Sequence, residues 1–355
     1  MHVLEAGFQT PGRPCVVLLH GFPELAYSWR KLMRPFADAG FHVLAPDQRG
    51  YGRTTGADPS FGADLAAYAM PNLVEDVLGM LQALGIGHVA SVVGHDFGAS
   101  VAAWCALLRP DVFQSVALMS SPFGGPPSGS STNPLVAAPV RDMHQDLAQL
   151  ERPRKHYQWY YSTPTANSDM WQCPQGVHAF LRAYYHVKSA DWAANRPAPL
   201  LAWSAAELAR MPTYYIMDAA QDMAQTVAPH MPGAEAVATN RWLTEDELRV
   251  YSDEFQRTGF QGGLNWYRSK TEPACDTNLR QYAGRGIDVP ALFIAGASDW
   301  GVWQSPGAFE RMQSTVCKRM HAVLLLPDAG HWVQQEQPEA TASHLLDFFS
   351  SMRRA

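Results

Sequence analysis

The sequence predicts an α/β fold in which a mostly parallel central sheet is flanked by helices and interrupted by an inserted α-helical cap, or lid. Three observations predict it. Short apolar runs alternate with helical patterns over the first third of the 355-residue chain, a Pro-, Gly- and Ser-rich stretch then breaks the alternation, and the alternation returns after about residue 285. Runs that are apolar throughout are typical of parallel strands covered on both faces.

The first four strands are predicted at residues 16–19, 43–45, 89–93 and 115–119. A helix is predicted over 73–84 from its apolar spacing, begun by the capping-box pair Asn72 and Glu75 and ended by Gly85. The residues after Gly98 predict the next helix. The short N-terminus leaves little room for a strand ahead of residue 16.

Residues 122–134 are predicted to form a linker, because ten of these thirteen residues are Pro, Gly or Ser. Aromatic, helical segments follow and close with a helix over 244–258 that begins with a capping box. Strands at 291–295 and 323–326 and a helix over 338–352 complete the chain. The predicted organisation is therefore a core made of residues 1–122 and 271–355, with the cap at residues 123–270.

Composition excludes several classes of protein. The net charge is -6 and only five lysines are scattered along the chain, so no basic surface for nucleic acid is indicated. No apolar run approaches the roughly 18 residues of a membrane helix, and the N-terminus does not resemble a signal peptide. The five cysteines are widely spaced and form no C-x-x-C pair, which argues against a disulfide framework or a zinc site. We expect a soluble, cytoplasmic protein, and a homodimer is possible.

The segment Gly94-His95-Asp96-Phe97-Gly98 stands between a predicted strand and a predicted helix. It has the spacing of the nucleophile elbow G-x-S-x-G, whose glycines permit a tight turn that holds the central side chain above the sheet. Here the central residue is Asp96, which is ionised at neutral pH and can attack carbon directly. For the pattern alone, an ordinary glycine-rich turn is about equally expected.

Three other polar groups follow predicted strands. His20 follows the strand at 16–19, Asp299 follows the one at 291–295, and His331 follows the one at 323–326. Because the carboxyl ends of parallel strands meet at one edge of a sheet, these groups are expected to converge with Asp96. The order nucleophile, acid, histidine is the order of the α/β-hydrolase triad. An isolated histidine would more often be structural, but this order favours a catalytic one.

The chain resembles the α/β-hydrolase-fold epoxide hydrolases over nearly its whole length. The resemblance is carried by His20-Gly21-Phe22-Pro23-Glu24 with Tyr27-Ser28-Trp29-Arg30, by Asp47-Gln48-Arg49-Gly50-Tyr51-Gly52, and by Gly94-His95-Asp96. Two cap tyrosines of that family donate hydrogen bonds to the epoxide oxygen. Their sequence contexts match Tyr157-Gln158-Trp159-Tyr160 and Asn265-Trp266-Tyr267-Arg268, so the pair maps to Tyr157 and Tyr267. The other cap tyrosines are expected to pack in the core.

The resemblance implies a mechanism in which Asp96 forms an ester with the opened epoxide and His331, oriented by Asp299, activates the water that hydrolyses it. The backbone N–H groups of Phe22 and Phe97 would form the oxyanion hole, and Phe22-Pro23 is expected to be a cis peptide. The residues expected to surround and support the catalytic groups are His20, Pro23, Glu24 and His95. Glu24 and His95 would either hold the hydrolytic water or have a purely structural role. The substrate pocket is expected to contain Phe22, Phe97, Trp159, Trp266 and Trp332. The substrates would be a small apolar epoxide and water, with no metal or cofactor.

Two other functions remain open. A haloalkane or haloacid dehalogenase would use the same Asp, His and acid, but it solvates a departing halide, typically with indole N–H groups, one of them beside the nucleophile. Phe97 at that position and the mapped pair Tyr157 and Tyr267 favour the epoxide. The epoxide hydrolases themselves usually have Trp after the nucleophile, and this departure affects pocket shape more than mechanism. A non-catalytic sensor of apolar ligands is the second alternative, and the intact set of Asp96, Asp299 and His331 argues against it.

Overall fold

The structure is a computed structural model that describes residues 1–127 and 142–352, so residues 128–134 of the predicted linker lie outside the described part. The strands are β1 Val3–Ala6, β2 Cys15–Leu19, β3 His42–Pro46, β4 Val89–His95, β5 Val116–Met119, β6 Arg154–His156, β7 Ile216–Asp218, β8 Ile287–Gly296 and β9 Cys317–Leu326. The helices are α1 Arg30–Asp38, α2 Met70–Ala83, α3 Phe97–Leu108, α4 Met143–Ala148, α5 Tyr157–Tyr161, α6 Ala166–Trp171, α7 Gly176–Lys188, α8 Ala205–Leu208, α9 Met223–Val227, α10 Ala234–Thr239, α11 Glu245–Thr258, α12 Gln261–Thr271, α13 Pro273–Leu279, α14 Ala308–Arg311, α15 Val333–Glu336 and α16 Pro338–Met352.

Seven strands form the central sheet in the order β1-β3-β2-β4-β5-β8-β9. All neighbouring pairs are parallel except β1 with β3. Successive residues of β2 face opposite layers: Val16 and Leu18 pack with α1 and α16, whereas Val17 and Leu19 pack with α2, α3 and the cap. Both faces of the central sheet are therefore buried, which explains why the strand segments predicted from the sequence are apolar throughout. The predicted fold class is confirmed.

The N-terminal strand corrects one expectation. Residues 3–6 form β1, an edge strand that pairs antiparallel with β3 and brings Leu4 opposite Ala45. Val3, Leu4 and Ala6 are partly buried, and Glu5 is exposed. The Glu5 side chain forms a hydrogen bond with His42. A short strand of this kind has too little apolar patterning to be recognised from sequence, but it needs little room ahead of β2.

The start of α2 corrects a second expectation. The helix begins at Met70, with Pro71 in its first turn, and Ala69 occupies the N-cap position. Asn72 lies inside the helix, and its side chain donates to the carbonyl oxygen of Ala66. Pro71 has no backbone N–H that needs a hydrogen-bond partner, and its fixed φ suits the first turn of a helix. The helix can therefore begin at this place without a capping box. The capping box of Thr244 and Glu247 on α11 is confirmed.

The cap, taken here as the described residues 142–271, lies between β5 and β8 in the chain and consists mainly of helices α4–α12. It also contains a small antiparallel sheet of β6 and β7, in which His156 pairs with Ile216. The sequence gives no sign of this pair because each strand has only three residues. The predicted boundaries of the cap, 123 and 270, stay predictions.

All five cysteines lie in the described part of the chain, and all are buried free thiols. Within residues 1–127 and 142–352, each helix is too short or too polar to span a membrane.

Candidate active site

Asp96 occupies a strained turn between β4 and α3. Its backbone has φ 52 and ψ -120, a region that L-residues rarely adopt. The flanking glycines make the turn possible, because a Cβ on Gly94 would overlap the carbonyl oxygen of Gly98, and a Cβ on Gly98 would overlap that of Leu19. The turn therefore holds the Asp96 side chain at the end of the sheet, as the sequence predicted.

The carboxyl ends of the central strands are aligned by their register. Leu19 of β2 lies opposite Gly94 of β4, and Gly296 of β8 lies opposite Leu326 of β9. Asp96, Asp299 and His331 follow these strand ends in the chain. The alignment explains how side chains from distant parts of the sequence come to lie together.

Asp96, His331 and Asp299 form a buried chain of charged groups. His331 Nδ1 lies 3.1 Å from both carboxylate oxygens of Asp299, whose Oδ1 also accepts the N–H of Gly301 at 2.6 Å. His331 Nε2 lies 3.4 Å from Asp96 Oδ2 and makes no hydrogen bond within the described residues. A buried nitrogen without a hydrogen bond is unusual in a folded protein, and this one faces the carboxylate of Asp96.

Electrostatics favour the charged forms of these groups. Burial alone would lower the pKa of His331, but the negative charge of Asp299 outweighs it and raises the pKa to about 9. Burial would raise the pKa of Asp96, yet the close approach of His331 and its charge, helped by the charge of Lys188, hold this pKa below the usual range. Asp96 is therefore a carboxylate at neutral pH.

The backbone around Asp96 supplies hydrogen-bond donors. The N–H of Phe22 donates to Asp96 Oδ1 at 3.0 Å. Phe97 is the first residue of α3, where N–H groups have no partner within the helix. The Phe22-Pro23 bond is cis, as predicted. Donors at this place can stabilise negative charge that develops on an Asp96 oxygen.

The predicted supporting residues are buried beneath the site. His95 Nε2 lies 2.6 Å from the carbonyl oxygen of His331, and its Nδ1 lies 2.5 Å from Glu24 Oε2. A carbonyl oxygen only accepts, so Nε2 donates to it. Burial raises the pKa of Glu24, but the charge of His95 more than compensates and lowers it, so Nδ1 donates to a carboxylate. With both ring nitrogens occupied, His95 holds the backbone of His331.

His20 is fixed in the same region. Its Nδ1 lies 2.9 Å from the carbonyl oxygen of Gly21, and its Nε2 accepts the N–H of Gln48 at 3.1 Å. Burial lowers its pKa, which fits the neutral tautomer that these two partners require. The carbonyl oxygen of Pro23 accepts the phenol of Tyr185 at 2.9 Å, which ties this turn to α7 of the cap.

Tyr157 and Tyr267 come together above Asp96, with ring centroids 5.9 Å apart. Tyr267 packs edge-on against Phe22 and Phe97, at 5.5 and 5.2 Å between centroids. Burial, together with the charge of Asp96, raises the pKa of both phenols well above the usual value, so both keep their protons. Two protonated phenols that feel the charge of Asp96 are suited to donate hydrogen bonds to a substrate oxygen.

A cavity of about 590 Å³ lies next to this site, although Asp96, His331, Tyr157 and Tyr267 are not among its lining residues. Phe97 and Trp266, two of the residues predicted for the substrate pocket, line it, and their ring centroids lie 5.2 Å apart. The other three predicted pocket residues do not line it. Phe22 packs beneath Tyr267, Trp332 lies edge-on to His331 at 4.7 Å, and Trp159 packs on His144 and His156. A larger groove of about 800 Å³ near Trp242 contains none of the predicted site residues.

Three polar residues at the site escaped sequence reasoning. Gln304 Oε1 accepts the phenol of Tyr157 at 3.0 Å, and Lys270 lines the cavity. Glu336 accepts the N–H groups of Gly330 and Trp332, both at 2.9 Å, and so fixes the loop on either side of His331. Gln304 follows β8 in the same loop as Asp299, a position that could have drawn attention to it. Nothing in the sequence singles out Lys270 or Glu336.

Residues 14–338 match the family model of the alpha/beta hydrolase fold. The chain is 33% identical over 360 residues to Epoxide hydrolase A of Mycobacterium tuberculosis (strain ATCC 25618 / H37Rv), covering 99% of this chain and 94% of that protein. It is 34% identical over 348 residues to Epoxide hydrolase B of the same organism, covering 96% of this chain and 92% of that protein.

Solved structures show the same likeness. An epoxide hydrolase from an endophytic Streptomyces superposes with a TM-score of 0.79 at 30% identity, covering 100% of this chain and 93% of that one. Epoxide Hydrolase A from Mycobacterium thermoresistibile superposes with a TM-score of 0.73 at 33% identity, covering 98% of this chain and 93% of that one.

Proposed function

The chain belongs to the epoxide hydrolases of the α/β-hydrolase fold, and on that basis we propose that it opens an epoxide to a vicinal diol through a covalent ester on Asp96. The observation that carries the proposal is the buried arrangement of Asp96, His331 and Asp299, with one Asp96 oxygen held by a backbone N–H and the other facing His331. The substrates are a small epoxide with an apolar body, and water.

In the first step, Asp96 Oδ2 attacks one carbon of the epoxide from the side opposite the C–O bond that breaks. Oδ2 is the free oxygen, because Oδ1 accepts the N–H of Phe22. Tyr157 and Tyr267 donate hydrogen bonds to the ring oxygen and supply the proton that the alkoxide needs. The result is an alkyl ester of Asp96 that carries a hydroxyl group on the neighbouring carbon.

In the second step, His331 Nε2 takes a proton from water, and the hydroxide attacks the carbonyl carbon of the ester. Asp299 compensates the positive charge that forms on His331. Negative charge on Asp96 Oδ1 is stabilised by the N–H groups of Phe22 and Phe97, a kind of contact worth about 3 kcal/mol per donor in other enzymes. When this intermediate collapses, the leaving oxygen of the diol takes the proton of the added hydroxyl group and Asp96 becomes a carboxylate again. The proton on His331 then returns to the phenolate that remained after the first step, which completes the cycle.

His95 and Glu24 act as positioning residues in this proposal. His95 binds the carbonyl oxygen of His331, to which Ser120 also donates at 2.9 Å, and Glu24 binds His95. The alternative prediction, that the two hold the hydrolytic water, is less favoured because both ring nitrogens of His95 already have partners.

Two indole groups, those of Trp266 against Phe97 and Trp332 against His331, argue against a dehalogenase. Trp266 Nε1 donates to the carbonyl oxygen of Arg49 at 2.8 Å, and Trp332 Nε1 donates to that of Tyr185 at 2.9 Å. Neither N–H is free to solvate a halide, and residue 97 is a phenylalanine.

The proposed ester is tested by stopping the reaction after its first step. We expect His331→Gln to form the ester and fail to hydrolyse it, so intact-mass spectrometry should show the protein heavier by the mass of the epoxide. The matched control is Asp96→Ala/His331→Gln, which should gain no mass. An Asp96→Ala variant that still produces diol at the wild-type rate would refute Asp96 as the nucleophile.

Two further predictions concern the setting of the protein. We propose a reducing cytoplasm, which the five buried free thiols suit. A homodimer also stays a prediction.

A further inference from the structure

A lysine of the cap lies with its charge among aromatic rings. Lys188 ends helix α7 and is only 3% exposed. Its ammonium lies over four rings, with 4.8 to 5.9 Å to their centroids: those of Tyr184, Tyr214, Tyr215 and Trp332. Among the described residues, none forms a hydrogen bond or ion pair with this ammonium. The faces of aromatic rings attract a cation, more strongly when it is desolvated, and so offset part of the cost of burying it.

The charge of Lys188 acts on the catalytic groups. The Trp332 ring beside its ammonium lies edge-on to His331, with 4.7 Å between ring centroids, and the carbonyl oxygen of Lys188 accepts the N–H of His331 at 2.8 Å. Burial lowers the pKa of His331, and the charge of Lys188 lowers it further. The carboxylates of Asp299 and Asp96 oppose both effects and raise this pKa to about 9 in the free protein. Lys188 therefore counteracts the carboxylates at the base.

The charges at the site balance differently before and after ester formation. In the free protein two buried carboxylates, Asp96 and Asp299, are matched by two buried cations, His331 and Lys188. Ester formation removes the charge of Asp96. One carboxylate then remains for two cations, and a histidine gives up its proton at neutral pH far more readily than a lysine does.

From this arrangement, and resting on the proposed function, we propose that Lys188 is a positioning residue of the second step. Its ammonium balances the charge of Asp299 while the ester is present, and so leaves His331 neutral and able to take a proton from water. The lysine needs no contact with the substrate and acts through the histidine alone. Without its charge, Asp299 would favour a protonated histidine, which cannot act as a base.

Other titratable groups lie close to the base and to the lysine. The His95 ring is 5.0 Å from that of His331, and Glu336, whose pKa burial raises to about 7, accepts the N–H groups on either side of the base. Burial raises the pKa of Tyr214 and Tyr215 well above the usual value, so both phenols stay neutral beside the lysine. Because none of these groups is changed in the lysine variants, a pH shift between those proteins and the wild type reports the lysine charge.

The test measures how ester decay depends on pH, with styrene oxide as the probe. Rapid quenching and intact-mass spectrometry follow the ester in single turnovers. Lys188→Met should move the inflection of the decay rate to higher pH by roughly one unit, the shift expected from a unit charge about 10 Å away at an effective dielectric constant of about 20. Decay should then be about tenfold slower at neutral pH and unchanged on the alkaline plateau. Lys188→Arg should keep the wild-type inflection.

Lys155→Met is the matched control. The Lys155 ammonium also lies over a tyrosine ring, that of Tyr160 at 5.0 Å, but its side chain is only partly buried. Its removal should leave the inflection where it is. Slower decay at every pH in Lys188→Met, with the wild-type inflection, would show that this lysine supports the structure alone and would overturn the inference.

A titration without substrate keeps the inference testable if the lysine variants do not fold. Asp96→Ala removes one of the two carboxylates beside His331 and cannot form the ester. With Lys188 balancing Asp299, the His331 ring should then titrate by NMR near the ordinary histidine pKa of about 6.5. A pKa that stays at about 9, as in the free wild-type protein, would overturn the inference. Absence of any ester from styrene oxide would count against the proposed function, and this titration would still decide the role of Lys188.

Discussion

Tyr157 and Tyr267 are both buried phenols with a raised pKa, but they differ in their hydrogen bonds. The phenol of Tyr157 donates to Gln304 and accepts from Gln158 at 2.9 Å. That of Tyr267 has no hydrogen bond to any residue in the described part of the chain. A substrate oxygen therefore competes with Gln304 for the proton of Tyr157, whereas Tyr267 can donate without losing a bond.

We expect Tyr267→Phe to slow ring opening more than Tyr157→Phe does. A positioned proton donor contributes about 10²- to 10⁴-fold to rate, and the remaining phenol should preserve part of it. Stopped-flow measurement of ester formation, in a His331→Gln background, isolates this step. Equal rates of ester formation in the two variants would contradict the difference inferred from their hydrogen bonds.

The raised pKa of His331 predicts how ester hydrolysis depends on pH. His331 must be neutral to take a proton from water, so the rate should rise with pH and level off above its pKa. That pKa is about 9 in the free protein. Ester formation removes the negative charge of Asp96, which helps to raise the pKa, so the inflection should fall below that value.

Single-turnover measurements of ester decay from roughly pH 5 to 10, a range that brackets the ordinary and the raised histidine pKa, would check this profile. Asp299→Asn removes the charge that raises the pKa of His331 and should move the inflection to lower pH. A decay rate that does not change with pH would argue against His331 as the base.

At the scale of single residues, sequence identified the groups with recognisable patterns. Asp96 was found from its two glycines, and His331 and Asp299 were found from their order after strands. Gln304 was missed because its role depends on its contact with Tyr157, which is far away in the sequence and which no local pattern records. Trp159 packs on His156 and Trp332 on His331, and their place in a substrate pocket stays a prediction.

At the scale of elements, the turn between β4 and α3 rests on a close approach of backbones. A Cβ on Gly98 would overlap the carbonyl oxygens of Leu19 and His20, which belong to the end of β2. Helix α3 can begin directly after Asp96 only because residue 98 has no side chain. The elbow is therefore a packing requirement as well as a catalytic one.

Gly98→Ala should lower the free energy of unfolding by about 1–3 kcal/mol, the usual cost of overpacking, and should reduce activity by displacing Asp96. Gly87→Ala is the matched control, because a Cβ there would meet no atom within 4 Å and its φ is not positive. That change should be neutral or stabilise by about 0.5 kcal/mol. Urea unfolding of both variants checks the difference, and similar midpoints would show that the turn can relax.

The sequence predicts the apolar segments of the strands, but it does not predict how far a strand extends into polar residues. The sequence predicts only residues 323–326 of β9, which begins at Cys317, because its first half includes the exposed Lys318 and Arg319. Those residues join the sheet through hydrogen bonds to β8 rather than through burial. Backbone pairing of this kind depends on the neighbouring strand and leaves no trace in side-chain pattern.

At the scale of the whole molecule, Arg30 joins the core to the cap. Its side chain on α1 donates to Glu247 on α11 at 2.8 Å, to the phenol of Tyr251 at 3.2 Å and to Gln335 on α15 at 2.8 Å. Both members of the ion pair are largely buried, with 12% and 20% of their side-chain surface exposed.

Arg30→Ala should lower the free energy of unfolding by about 2–3 kcal/mol, because it leaves Glu247 without its main partner in a poorly solvated place. Arg34→Ala on the same helix is the matched control, since its pair with Asp38 is 83% and 62% exposed. Its loss should cost about 0.5 kcal/mol or less. Chemical unfolding measures both changes, and equal losses would mean that Arg30 does not hold the two parts together.

The last residue of helix α7 is hydrogen-bonded to the backbone of the catalytic histidine. The N–H of His331 donates to the carbonyl oxygen of Lys188 at 2.8 Å, while its ring is held by Asp299 from the core. His331 is therefore fixed from two sides, its ring by the core and its backbone by the cap, so the placement of the base depends on both parts of the molecule.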